Sequence, residues 1–187
     1  MVNADSERNK EKLPTSVRLT MASTGIFRDF SRFQFPVGRD KEIVYATGID
    51  YGGQFYPFYV GETERHVGRI GDYLAANFYA PTDFRVGEAI RYLHSKGYVI
   101  GFRYKPSQRR KEEQNQFVKQ VNNSATQPKL LNRKLGYNYQ TIPKSMIERF
   151  KEKQRKEIHR FIDRFLSTAN LPSECPQEAP NASSPDG

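Results

Sequence analysis

Between residues 43 and 73 this chain carries three tyrosines and an arginine that local structure can bring together: Tyr45, Tyr59, Arg69 and Tyr73. A guanidinium is a planar fork whose donors match phosphate oxygens. A phenol can take or relay a proton once its ordinary pKa of about 10 is shifted. Arg65, Arg69 and Tyr73 recur at intervals of four, which places them along one face of a helix. These groups have the chemistry of a phosphate-handling site. They also have a plainer reading, because tyrosines on short strands more often fill a core with their hydroxyls satisfied, and Arg69 could be an ordinary solvated helix residue.

The choice rests on the elements that position them. Ile43 to Thr47 and Phe55 to Val60 are rich in β-branched and aromatic residues, and Asp50-Tyr51-Gly52-Gly53 between them supplies turn chemistry, so a hairpin is expected. Pro57 lacks an N–H and belongs on an edge or near a strand's start. Val67, Ile70, Leu74 and Phe78 then predict a helix over about residues 64–78. A second helix follows, with Thr82 or Asp83 as its cap, Val86, Ala89, Ile90 and Leu93 as its apolar stripe, and Gly97 at its end. Tyr98 to Tyr104 reads as a third strand stopped by Pro106. A polar helix from Ser107 to Val121 follows, apolar at Phe117, Val118 and Val121.

Beyond a loop and Pro128-Lys129-Leu130-Leu131-Asn132, the capping-box pattern Ser145 to Glu148 announces a long basic amphipathic helix with Ile147, Phe150, Ile158, Phe161, Ile162 and Phe165 on its apolar face. Its cations, among them Lys144, Arg149, Arg155, Arg160 and Arg164, suit nucleic acid or simply a solvated face. The fold class that results is α/β: a small three-stranded sheet in β-β-α-α-β-α order, flanked by helices, with an appended C-terminal basic helix. The expected division is a flexible arm over 1–22, a domain over 23–140, the basic helix over 141–167, and a disordered Pro/Ser/Asn-rich tail over 168–187.

A formal net charge of +9 and a pI near 9.6 direct attention to a polyanionic partner, nucleic acid first. No stretch approaches the roughly 18 apolar residues of a membrane span, and no signal-peptide pattern is present. The expectation is a soluble intracellular protein without a membrane partner, cytoplasmic in a bacterium. The single cysteine, Cys175, has no intrachain partner. His66, His94 and His159 have no mutual spacing that suggests zinc.

In this order the residues are similar to the GIY-YIG nuclease superfamily. Ile43-Val44-Tyr45 stands at its first motif and Tyr59-Val60-Gly61 at its second. Arg69 falls on its helix arginine, and Tyr73 on a position that often holds tyrosine or histidine. Glu113, followed by Phe117 and Val118, resembles the family's glutamate helix, with Glu112 an alternative, and Pro128 to Asn132 resembles its closing Pro-x-x-x-Asn signature. The resemblance covers roughly residues 42–137. Ile43 replaces the family's first glycine, and Glu62 stands where related repair nucleases often have a basic residue.

The resemblance implies a metal-dependent endonuclease that hydrolyses phosphodiester bonds in DNA. Such chemistry needs an activated water, charge stabilisation at phosphoryl oxygens, and a metal that helps with both. Glu113 would bind Mg²⁺, or another divalent cation such as Mn²⁺. Arg69 would hold phosphate, Tyr59 or Tyr45 would relay the proton, Tyr73 would orient its neighbours, and Asn132 would brace the metal side or a tyrosine. Arg65, His66 and Lys134 would contact the nucleic acid. The reading makes a spatial claim, that the Glu113 carboxylate lies across a cleft from Tyr59 and Arg69. Two other classes stay open: a nucleic-acid-binding module on the same fold with cleavage lost, and an interaction protein whose basic helix engages a protein partner. A homodimer is compatible with each.

Overall fold

The computed structural model describes residues 31–32, 42–125, 128–132 and 141–175. The protein is mixed α/β, and its centre is the hairpin of β2 (Ile43–Tyr51) and β3 (Gln54–Thr63), with a two-residue strand β1 (Ser31–Arg32) earlier in the chain. Gly52 and Gly53 make the turn with φ of +57° and +72°, the left-handed pair that a two-residue hairpin needs if its twist is to match the strands. β4 (Val99–Pro106) lies antiparallel on the other side of β2, and β1 pairs with its outer edge. The sheet order is β1-β4-β2-β3. The three long strands form the antiparallel sheet. β1 adds only two residues, too few for any periodicity to reveal.

β2 is central, and Ile43 through Ile49 are buried, because both faces of the sheet are covered. Tyr45 pairs with Gly61, Thr47 with Tyr59, and then Gly48 with Pro57, so Phe58 is an extra residue in β3. That bulge resets the pleat, letting Phe55 and Val60 join the same cluster despite an odd separation. Pro57 is on an edge strand, as its missing N–H requires.

Two layers follow from the pleat. Ile43, Tyr45, Ile49, Phe58 and Tyr59 pack with Tyr73 of α1 (His66–Ala75), with Phe84, Ala89 and Leu93 of α2 (Pro81–Ser95), and with Ile158, Ile162 and Phe165 of α4 (Ile147–Thr168). On the opposite face, Val44, Ala46, Phe55 and Val60 pack with Val121 of α3 (Arg110–Asn123) and with Leu130. Arg110 draws α3's start to the sheet end through ion pairs with Glu42, Glu62 and Glu64.

Several helix boundaries differ from the expected ones for local reasons. α2 begins at Pro81 with Ala80 as N-cap and no side-chain cap, since Asp83 has a partner elsewhere. The Ser145 capping box does not form. A 3₁₀ turn over Lys144–Met146 leads into α4 without a side-chain cap. Gly97, at φ +84°, terminates α2 as expected. α4 docks on α2 with the Tyr92 and His159 rings stacked 3.9 Å apart and the Tyr92 hydroxyl donating to Asp163.

The chain does not leave the body at Ser167. Leu171 is buried, the Tyr98 hydroxyl donates to the Pro172 carbonyl, and the Cys175 N–H donates to Lys96 O at 2.8 Å. The expected arm over 1–22 and residues 176–187 of the expected tail lie outside the described residues. No helix among the described residues is long and apolar enough to cross a membrane.

Candidate functional site

The three tyrosines and Arg69 meet on the α1 face of the sheet. Tyr45 points from the central strand across Gly61, whose missing side chain makes the space: a Cβ there would lie 2.2 Å from the Tyr45 Cζ and hydroxyl oxygen. The phenol ring stacks on Phe102 with centroids 4.8 Å apart, and its hydroxyl bonds the Tyr73 hydroxyl. The Tyr59 ring lies 6.3 Å from Tyr45 and 6.0 Å from Tyr73. Arg69 completes the group. Its Nε reaches the Tyr45 hydroxyl at 3.4 Å, and its guanidinium lies over the Tyr73 ring, 4.8 Å from the centroid.

This cluster is closed. Tyr45, Tyr73 and Tyr59 are 0%, 1% and 6% exposed, and the part that reaches solvent is the Arg69 side chain, 23% exposed. Burial is the main cause that pushes all three phenol pKa values above the ordinary 10. Tyr59 pushes Tyr45 up further while the Tyr73 hydrogen bond lowers it, Tyr45 and Tyr59 push Tyr73 up, and Arg69 pulls down on all three. At neutral pH the hydroxyls are therefore neutral donors and acceptors rather than bases. A spectrophotometric titration of the 11 tyrosines should show these three ionising later than the exposed ones while the chain stays folded. Titration of every tyrosine near pH 10 without loss of far-ultraviolet circular dichroism would show the cluster to be open.

Arg69 is already paired. Its Nη1 reaches Asp83 at 2.7 Å and Asp72 at 3.4 Å, and the exposed Arg65 joins Asp72 at 3.4 Å. Burial raises the Asp83 pKa despite the pull of Arg69, and Asp72 adds to the rise. Sequence reasoning missed both aspartates as partners. Asp72 had a signal, being three residues past Arg69 on the same helix. Asp83 had none, because its partner is on another helix.

The expected metal ligand is elsewhere, which corrects the spatial claim. Glu113 pairs with Lys105 at 2.7 Å, and Lys105 stands opposite Val44 in the register, on the face covered by α3. Tyr45 and Tyr59 are on the other face. The cause is packing: Phe117, Val118 and Val121 rotate α3 onto Val44, Ala46 and Val60, carrying Glu113 with them. Burial pushes the Glu113 carboxyl up, but hydrogen bonds from Lys105 and Ser107 outweigh it and hold the pKa below the ordinary carboxylate range. Glu112 is mostly exposed beside Arg109.

What α3 does deliver to the Tyr-Val-Gly strand is an amide. Gln114 Nε2 donates to Val60 O at 3.1 Å. Asn132 takes up the same residue from the outside, with Oδ1 accepting from Val60 N at 2.9 Å and Nδ2 donating to Val60 O at 2.5 Å. Asn132 thus braces the residue beside Tyr59, as a strand would. Arg85, also missed, is buried and donates to Leu131 O at 2.8 Å.

No group of three or more metal-ligating side chains exists among the described residues, and the carboxylates beside the tyrosines both pair with Arg69. The described residues at the cluster thus offer a Mg²⁺ or Mn²⁺ ion no carboxylate that is free of Arg69. His66 opens α1, but its side chain, like all of Lys134, falls outside the described residues. Set beside known proteins, the chain matches no family model, no curated protein and no solved structure.

Proposed function

We propose that this protein is a nucleic-acid-binding module on a GIY-YIG-like body, in which the tyrosine–arginine cluster organises α1 with Arg65 at its start and does not cut. The observation that carries this reading is the position of Glu113. Its carboxylate is engaged by Lys105 on the far side of the sheet, away from Tyr59 and Arg69, where the resemblance would have it hold a metal. The positive balance of charge supports a polyanion, and Arg65, with its side chain 74% exposed, is placed to meet one.

A second reading, the metal-dependent DNA endonuclease, is favoured by one observation: residues as distant as Tyr45 and Tyr73 join hydroxyls around Arg69, which is more order than a generic core needs.

Supercoiled plasmid separates them. With Mg²⁺ or Mn²⁺ the protein should retard the plasmid on a gel without nicking it. Retardation should weaken steeply with salt, and Arg65→Ala should flatten the slope of log K against log salt by about 1. Metal-dependent nicking that chelator abolishes and Glu113→Ala removes would overturn the binding reading in favour of the enzyme. Neither retardation nor nicking at low salt would remove duplex DNA from consideration.

A further inference from the structure

A cavity of about 900 Å³ opens between the 128–132 segment and α4. Its floor is apolar, with Leu131 and Phe161. Its rim carries Arg160 and Arg164, and among the described residues Glu157 is the sole acidic one lining it. Arg160, Phe161 and Arg164 follow helical spacing, so two cations and an aromatic ring share one stripe of α4.

The two arginines of that stripe do not dock the helix, while Phe161, partly buried, packs against the edge of the core. Ile158, Ile162 and Leu166 are the buried anchors, whereas Arg160 and Arg164 are exposed and neither has a carboxylate partner among the described residues. Arg164 Nε turns back to its own helix at Arg160 O, 3.3 Å away. Lys129, also at the rim, differs: its ammonium is held by the carbonyls of Asn122 and Ser124. Asn132 lines the cavity while gripping Val60, and Arg85, bonded to Leu131 O, lines it as well.

We infer that this cavity seats a single-stranded segment of nucleic acid, with successive phosphates on Arg160 and Arg164 and an unstacked base against Phe161. The inference rests on the binding reading above and adds a substrate class to it. Charge selects a polyanion. Shape selects a single strand, since a concave pocket of this size admits a few nucleotides but no duplex, and a base offers its face to an aromatic side chain only when it has left its own stack.

The test is fluorescence anisotropy with a short labelled oligothymidylate and with a duplex of the same length, at several salt concentrations. In the double variant Arg160→Ala/Arg164→Ala the single strand should bind about tenfold more weakly, and its salt slope should flatten by about 1.4, the value for two lost phosphate contacts on a single strand. Phe161→Leu, which keeps the apolar floor, should weaken single-strand binding severalfold. Duplex binding should change little in both, and thermal melts should match the unsubstituted protein. Unchanged single-strand affinity in the double variant overturns the inference while leaving the binding reading in place, provided that Arg65→Ala still weakens binding. An equal loss for strand and duplex overturns the single-strand assignment. Absence of binding by the unsubstituted protein to either probe overturns both.

Discussion

Arg69→Ala should lower the stability of this protein by about 2–3 kcal/mol at neutral pH, and by less in mild acid. Removing one member of a buried ion pair costs about 3–5 kcal/mol because the partner is left charged and unpaired. Here the Arg69 and Asp83 side chains are 23% and 14% exposed, so solvent relieves part of that cost. The variant also loses the contact over the Tyr73 ring and the bond to the Tyr45 hydroxyl. For a chain of this size the loss corresponds to a fall in Tm of roughly 4–12 °C.

The pH dependence identifies the partner. The folded-state pKa of Asp83 is raised above its ordinary 3.8 by burial even with Arg69 present. A raised carboxylate pKa means that the fold disfavours the charged form. Stability from this group is therefore greatest below the unfolded pKa and falls as pH rises through the folded value. Without Arg69 the rise is larger. The deficit of the variant should be smallest near pH 4 and should widen toward pH 7. Urea denaturation at those two values measures it, and a deficit equal at both would show that Asp83 does not depend on Arg69.

Gly87→Ala should be the other costly change, against the usual direction for a helix. Alanine in place of glycine inside a helix ordinarily stabilises by about 0.5–1 kcal/mol. At Gly87 a Cβ would stand 2.2 Å from the Tyr73 backbone oxygen and 2.6 Å from the Ala76 Cβ. Backbone cannot rotate out of the way, so α1 and α2 must separate, at about 2–4 kcal/mol. Gly71, on the outer side of α1, is the control, since a Cβ added there would meet nothing within 4 Å. Gly71→Ala should follow the ordinary rule and raise Tm slightly. If the two variants melt alike, close approach of the helices is not what Gly87 provides. Because Tyr73 is on the displaced helix, Gly87→Ala should also let some of the buried tyrosines ionise earlier in the alkaline titration.

Local pattern was enough for much of this. The glycine pair at 52–53 announces a tight hairpin, and the four-residue spacing of Arg65, Arg69 and Tyr73 aligns them on a helix. These signals act within one turn or one strand, where geometry follows directly from residue order. The gathering of Tyr45, Tyr59 and Arg69 was legible for the same reason: all come from one hairpin and the helix that follows it.

The carboxylates were not. Helical periodicity places Glu113 relative to Phe117 but is silent on which side of the sheet α3 will cover, and burial of Phe117, Val118 and Val121 decides that. Nor could periodicity reveal the bulge at Phe58, which appears only when β3 is held in register against β2. The return of the chain after Ser167 depends on Leu171 finding an apolar place and Pro172 a donor in Tyr98, although the local composition there resembles a solvated tail. By itself, then, the sequence determined the three long strands, the helices and the tyrosine–arginine group. Only the tertiary structure decided that Asp83, rather than Glu113, faces Arg69, because a charge finds its neighbour through packing between elements and not through its place in the chain.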